Sequence, residues 1–229
     1  MNSKTLRPLV AEFVATALFV FLGAGSIVMN TATSNQLGPL GVALVHGIGY
    51  AIVVTATLRI SGGHVNPAVT VAVWIAGKID ARTAGTYVVA QLLGALLGAF
   101  FVRLLLPPAA GELAVYGTPA LAASVSLPQG IWLEALLTFF LVSTVFGTAV
   151  SSEAPAVGGF AIGLALFTAG LVGGYLTGAA LNPARAFGPA IVAGEFHGQI
   201  VYWAGPLLGA AVAALLWKFI LLPRDPAQI

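Results

Sequence analysis

Residues 63–68 read Gly-His-Val-Asn-Pro-Ala, and residues 179–184 read Ala-Ala-Leu-Asn-Pro-Ala. Proline suits the first position of a helix, where its missing N–H is not needed, and asparagine is favoured just before it. The copies Asn66-Pro67-Ala68 and Asn182-Pro183-Ala184 therefore predict two helix beginnings. Each is followed by only about ten apolar residues, which is half of a membrane crossing at ~1.5 Å per residue.

The composition of the chain indicates a membrane protein. Hydrophobic residues make up 59% and charged residues 7% of the 229 residues, whereas a soluble domain has about 25% charged residues. Six apolar stretches are long enough to span a bilayer: 9–29, 37–58, 84–106, 131–150, 157–176 and 200–222. We therefore expect an all-α membrane protein, with six transmembrane helices, two re-entrant half-helices and a single domain over 1–229.

The order of these pieces predicts an inverted repeat. Each half, about 1–110 and about 128–229, reads span, span, Asn-Pro-Ala piece, span. Glu12 and Glu134 also occupy matching places, each with Thr four residues later in spans 1 and 4. Because each half contains three spans, the two halves must cross the membrane in opposite directions. Such repeats place their sites near the midplane, where the halves meet.

The basic residues indicate the orientation. With six spans, most of them fall on one side of the membrane: Lys4, Arg7, Arg59, Lys78, Arg82, Lys218 and Arg224. Only Arg103 and Arg185 do not. The positive-inside rule then makes this side cytoplasmic, with both termini there. We expect an integral, multi-pass protein, and the short tails favour the plasma membrane of a cell.

The inverted order brings the two half-helix N-termini together from opposite sides. Each N-terminus carries a positive partial charge of roughly half an elementary unit, so the pair repels cations. The amides of Asn66 and Asn182 can each donate to a passing oxygen, and a water held in this way cannot complete a proton wire. The sequence therefore predicts a pore that excludes protons.

Irregular backbone must precede each half-helix. Gly62, Gly63 and Gly178 suit such unwound segments, which at membrane depth require burial in protein or a wet cavity. We interpret Glu12 and Glu134 as acceptors for the free N–H groups of these segments. The alternative is that they relay protons.

Other chemistry is poorly supported by the sequence. No cysteine is present and the three histidines are far apart, so we expect no metal, no cofactor, no catalytic residues and no enzyme activity. No basic cluster indicates nucleic-acid binding. A secondary transporter is the main competing hypothesis, because it also uses inverted repeats and broken helices. A structural membrane protein is a second.

Two Asn-Pro-Ala motifs in inverted halves, with Ser61-Gly62-Gly63-His64 before the first and Arg185 after the second, closely resemble the aquaporin, or major intrinsic protein, family. The resemblance covers nearly the whole chain. It implies six spans, two half-helices, a pore in each subunit and a homotetramer in membrane lipid. His64 either lines the mouth of the pore or anchors its segment, and Ala180 belongs to the corresponding segment of the second half.

The family's selectivity filter, carried over by spacing from the two motifs, falls on His46, Gly170, Ala179 and Arg185; a shift of one residue would replace Gly170 by Ala169. This set is most similar to tonoplast-type aquaporins. It implies passage of water and small neutral solutes such as ammonia, urea and hydrogen peroxide. A glycerol, polyol or metalloid facilitator of the same fold is the alternative.

The filter placement makes a prediction. Replacing Ala179 by Phe should reduce solute flux more than water flux, because the bulky ring narrows the filter. Water and urea permeability of vesicles containing the variant would check this, and equal losses of both would contradict the placement.

Overall fold

The computed structural model describes residues 3–223, so Arg224, counted above among the basic residues, lies outside the described residues. Six helices are long and apolar enough to span a membrane, and the described residues contain no strand. The helices are α1 (Ser3–Ala32), α2 (Gly38–Ser61), α3 (Pro67–Ile75), α4 (Ala81–Leu105), α5 (Pro108–Leu113), α6 (Leu127–Val145), α7 (Phe160–Thr177), α8 (Pro183–Ala193) and α9 (Val201–Leu216).

The helices α3 and α8 are the two short pieces that follow the Asn-Pro-Ala motifs. They contain 9 and 11 residues, which at ~1.5 Å per residue is about half of a 30 Å bilayer core. The expectation of six spans and two half-helices is confirmed. The sequence analysis missed the short helix α5 and the 3₁₀ turn Val115–Gly117, which lie between the halves, and the single π-helical turns that extend α6 and α9.

Helix pairing follows the inverted repeat. The most extensive contacts are between α1 and α4 in the first half and between α6 and α9 in the second, and α2 packs on α7 across the halves. Each half-helix packs mainly on a span of the other half: α8 of the second half on α4, and α3 of the first half on α9. Each half-helix therefore depends on a span of the opposite half for its position.

Glycines allow the paired helices to approach backbone to backbone. A Cβ at Gly94 of α4 would overlap the carbonyl of Phe13 in α1, and a Cβ at Gly209 of α9 would overlap the carbonyl of Ala135 in α6. These contacts are equivalent in the two halves. Small residues at such crossings are the usual basis of close packing between membrane helices.

This packing predicts a clear difference between two helical glycines. Gly209→Ala should lower the thermal unfolding midpoint of the purified protein in detergent, because the added methyl overlaps backbone, and overpacking of this kind costs about 1–3 kcal/mol. Gly85→Ala is the matched control, since a Cβ there meets no atom within 4 Å. A Gly209→Ala variant as stable as the Gly85→Ala variant would contradict this packing.

Candidate functional site

The two Asn-Pro-Ala motifs meet in the interior of the protein. Asn66 and Asn182 have extended backbone, and each caps its own helix: Asn66 Oδ1 accepts from the N–H of Ala68 at 2.8 Å, and Asn182 Oδ1 accepts from that of Ala184 at 3.0 Å. Their amides cross to the opposite half. Asn66 Nδ2 donates to the carbonyl of Leu181 at 2.9 Å, and Asn182 Nδ2 donates to that of Val65 at 2.9 Å.

These reciprocal bonds fasten the beginnings of α3 and α8 to each other. Each Asn amide has two N–H donors, so one hydrogen of each amide is not needed for the crossing bond. The sequence analysis expected the two asparagines to approach but did not foresee that each would hold the carbonyl that precedes the other.

The accepting carbonyls belong to residues in an unfavourable backbone conformation. Val65 has φ 55° and Leu181 has φ 52°, in the left-handed region, which is an outlier for a β-branched residue such as Val65. Gly62 and Gly178, which begin the two loops, are also left-handed, where glycine is tolerated. Strain of this kind persists only when surrounding bonds fix it, and it clusters at functional sites.

Glu12 supplies such bonds to the first loop. Its Oε1 accepts from Ser61 Oγ at 2.6 Å and from the N–H of His64 at 2.9 Å, and its Oε2 accepts from the N–H of Val65 at 2.7 Å and from Gln91 Nε2 at 2.8 Å. Four donors thus converge on one fully buried carboxylate. This arrangement meets the requirement that buried backbone N–H groups be hydrogen-bonded.

Glu134 does the same for the second loop. Its Oε1 accepts from Thr177 Oγ1 at 2.6 Å and from the N–H of Ala180 at 3.0 Å, and its Oε2 accepts from the N–H of Leu181 at 2.8 Å. A tyrosine hydroxyl then completes the binding of each loop: Tyr87 donates to the carbonyl of Ser61 in the first half, and Tyr202 to that of Thr177 in the second. The sequence analysis missed both tyrosines, although their matching places in spans 3 and 6 were a usable signal.

The polar cluster around Glu12 has no equivalent around Glu134. In the first half, Gln91 Nε2 also donates to Thr70 Oγ1 at 2.9 Å, and His64 Nδ1 lies 3.1 Å from the same hydroxyl. The His64 ring is buried and meets Tyr87 edge-on. In the second half, the residue that corresponds to His64 is Ala180, whose side chain is apolar. These contacts fix the His64 side chain within the protein.

Arg185, in the first turn of α8, is buried and held at two points. Its Nη1 donates to the carbonyl of Gly117 at 2.9 Å, and its Nη2 lies 3.3 Å from His46 Nε2. His46 Nδ1 lies 2.9 Å from the carbonyl of Val42, which can only accept. The network therefore places the His46 proton on Nδ1, so that Nε2 accepts from Arg185. No feature of the sequence indicates the part played by Gly117.

A cavity of about 420 Å³ adjoins this pair. It is lined by His46, Gly170 and Ala179 of the predicted filter, and also by Gly178, Gly174, Asn30 and Asn35. Arg185 does not line it but reaches it through His46. Gly170 faces the cavity, whereas Ala169 is buried in the hydrophobic core.

The site contains no cluster of metal ligands. Within residues 3–223, no three His, Cys, Asp or Glu side chains come together as a metal site would require. The two buried acids and the two asparagines instead bind the loops, and Arg185 pairs with His46.

The chain is similar to known proteins over nearly its full length. The family described as "Major intrinsic protein" matches residues 1–217. "Probable aquaporin TIP3-2" of Arabidopsis thaliana is 40% identical over 97% of this chain and 86% of its own, and "Aquaporin TIP1-2" of Zea mays is 39% identical over 99% and 91%.

A solved structure supports the fold. The aquaglyceroporin from Plasmodium falciparum superimposes with a TM-score of 0.80, at 24% identity, over 95% of this chain and 97% of its own. At that identity the likeness shows the fold alone. The family match and the TIP relatives confirm the resemblance stated from the sequence: this chain belongs to the major intrinsic protein family, in the tonoplast-type aquaporin branch.

Proposed function

We propose that this membrane channel passes water and small neutral solutes, such as ammonia, urea and hydrogen peroxide, while excluding protons and other ions. Membership of the family makes the protein a passive channel for water and not an enzyme. The solute range, the pore residues and the filter are our inference from the contacts in this chain.

The observation that carries the proposal is the reciprocal bonding of Asn66 and Asn182. It brings two helix N-termini from opposite halves to one point, and each N-terminus has a positive partial charge. A cation at that point is repelled from both sides. The second hydrogen of each Asn amide remains for the oxygen of a passing water, which then points its own hydrogens away and interrupts a proton wire.

The filter has two unlike walls. His46 supplies the polar wall with Arg185 behind it, and Arg185 Nε is a buried donor with no hydrogen-bond partner in the part of the chain described here. Gly170, Gly174 and Ala179 line the same cavity with little or no side chain, and we take them as its open wall. A filter that is polar on one side and open on the other suits a small solute that is hydrogen-bonding and uncharged.

The contacts of the two buried acids favour a channel over a secondary transporter. A transporter coupled to protons or cations normally needs an ion-binding carboxylate or a proton path at the midplane. Glu12 and Glu134 are instead occupied by four and three donors from the protein. The alternative of a glycerol, polyol or metalloid facilitator differs only in the solute, and the transport assay below separates it.

Assembly and placement in the membrane belong to the same proposal. We infer a homotetramer in membrane lipid, with a pore in each subunit and both termini cytoplasmic. The sequence led us to expect the plasma membrane; the TIP relatives favour an internal, tonoplast-like membrane instead.

Transport by the reconstituted protein tests the proposal directly. Stopped-flow light scattering of proteoliposomes should show water permeability well above that of empty vesicles, with measurable flux of urea and no increase in proton flux. Glycerol, ammonia and hydrogen peroxide are measured in parallel, and preferential glycerol flux would support the facilitator instead. Vesicles no more permeable to water with the protein than without it would overturn the proposal.

The open wall makes a second prediction. Gly174 lines the cavity, and a Cβ there meets no atom within 4 Å. Gly174→Leu should therefore fold normally but fill the cavity, and lower urea permeability more than water permeability. Gly85→Leu, at another helical glycine where an added Cβ meets no atom within 4 Å, should change neither. If Gly174→Leu leaves urea flux at the wild-type level, this cavity is not on the solute path.

A further inference from the structure

The carbonyl that holds Arg185 is presented by a strained turn. Val115, Tyr116 and Gly117 are consecutive left-handed residues, with φ of 47°, 49° and 77°. Left-handed backbone is unfavourable for residues other than glycine, especially for the β-branched Val115. The turn therefore needs contacts with the rest of the protein to keep this shape. In this shape it presents the carbonyl of Gly117 to Arg185 Nη1.

Two glycines seat the turn on its surroundings. A Cβ at Gly111 would lie 2.8 Å from the ring of Tyr116, and a Cβ at Gly117 would lie 2.7 Å from the Cα of Ala24 in α1. The Tyr116 ring thus lies directly on α5, and Gly117 lies directly on α1. Tyr116 is buried by this packing.

Arg103, in the last turn of α4, also contacts the left-handed turn, through the ring of Tyr116. The carbon at the centre of its guanidinium lies 5.4 Å from the centroid of the Tyr116 ring, within the range of a cation–π contact. Its Nη1 also donates to the carbonyl of Val192, at the end of α8, at 2.9 Å. Arg103 therefore contacts the last turn of α8 directly, and the first turn through Tyr116, Gly117 and Arg185.

The internal repeat supplies a natural comparison. Lys218 lies after Gly209 at the same distance as Arg103 lies after Gly94, and it donates to the carbonyl of Ile75 at the end of α3, at 3.0 Å. Both cations thus bind the negative end of a half-helix, which is favourable in itself. The aromatic contact of Lys218 is with its own neighbour Phe219, so this cation does not reach a turn that holds Arg185.

We propose that Arg103 and Tyr116 are positioning residues for Arg185: together they hold the left-handed turn that keeps its guanidinium against the wall of the pore. The inference rests on the proposed function, in which Arg185 belongs to the filter. Without the turn, the Arg185 guanidinium loses its hydrogen bond to the Gly117 carbonyl. It then moves into the lumen to bond another acceptor, and there it obstructs the passage of water.

A double-mutant cycle tests this proposal, with water permeability as the only quantity measured. The wild-type protein is measured first in proteoliposomes, and water permeability is expressed per reconstituted protein. Arg103→Gln should lower it by about two- to three-fold, the lower end of the coupling expected within one hydrogen-bond network. In an Arg185→Ala background the same substitution should have almost no effect, because the group that it displaces is gone.

Matched variants separate positioning from general stability. Lys218→Gln also removes a cation from a half-helix end, and its effect, whatever its size, should be the same in both backgrounds. Arg103→Lys keeps the cation and Tyr116→Phe keeps the ring, so both should retain most of the wild-type permeability. Tyr116→Leu removes the ring and should lower permeability as Arg103→Gln does. This last comparison stands even if the Arg185→Ala protein does not fold.

The outcomes are distinct. A wild-type protein without water permeability would refute the proposed function. A permeable wild type in which Arg103→Gln has the same effect with and without Arg185, or in which Tyr116→Leu retains full permeability, would refute only the positioning role. The positioning role would be established if Arg103→Gln lowered permeability only in the presence of Arg185 and if Arg103→Lys kept most of the permeability.

Discussion

The structure depends on finding a partner for every backbone group of two broken helices inside a membrane protein. Lipid offers no hydrogen bonds, so irregular backbone at this depth is tolerated only where protein or enclosed water satisfies it. Glu12 and Glu134 accept from the N–H groups of the two loops, and Asn66 and Asn182 donate to their carbonyls. The carboxylates hold each loop to a span of its own half, and the amides hold the halves to each other.

A common device recurs at three points of this network. Val65, Leu181 and Gly117 each lie in the left-handed region, and each offers its carbonyl to a polar side chain from elsewhere in the chain. Left-handed backbone turns a carbonyl away from the direction that a helix would give it. At each point the unfavourable conformation is thus linked to a hydrogen bond of the proposed pore, and the buried carboxylates and close packing offset its cost.

The sequence could predict the spans, the half-helices and their inverted order, because membrane hydropathy, N-cap chemistry and an odd number of spans per half are all local or countable features. It could also propose acceptors for the loops from the matching positions of Glu12 and Glu134. The crossing bonds were out of reach, since backbone carbonyls carry no signature in a sequence. The turn at Val115–Gly117 was missed for a related reason: neither valine nor tyrosine indicates left-handed backbone, and only tertiary contacts impose it.

The glycine contacts between paired helices have a mechanical consequence. Where Gly94 and Gly209 meet the carbonyls of the facing helix, no layer of side chains separates the two backbones. Side chains can slide over one another, but backbones in direct contact at a crossing cannot shift without collision. Each half is therefore stiff within itself, because its first and last spans are in direct backbone contact. A passive channel suits such a body, because transport through a channel requires no rearrangement of its spans.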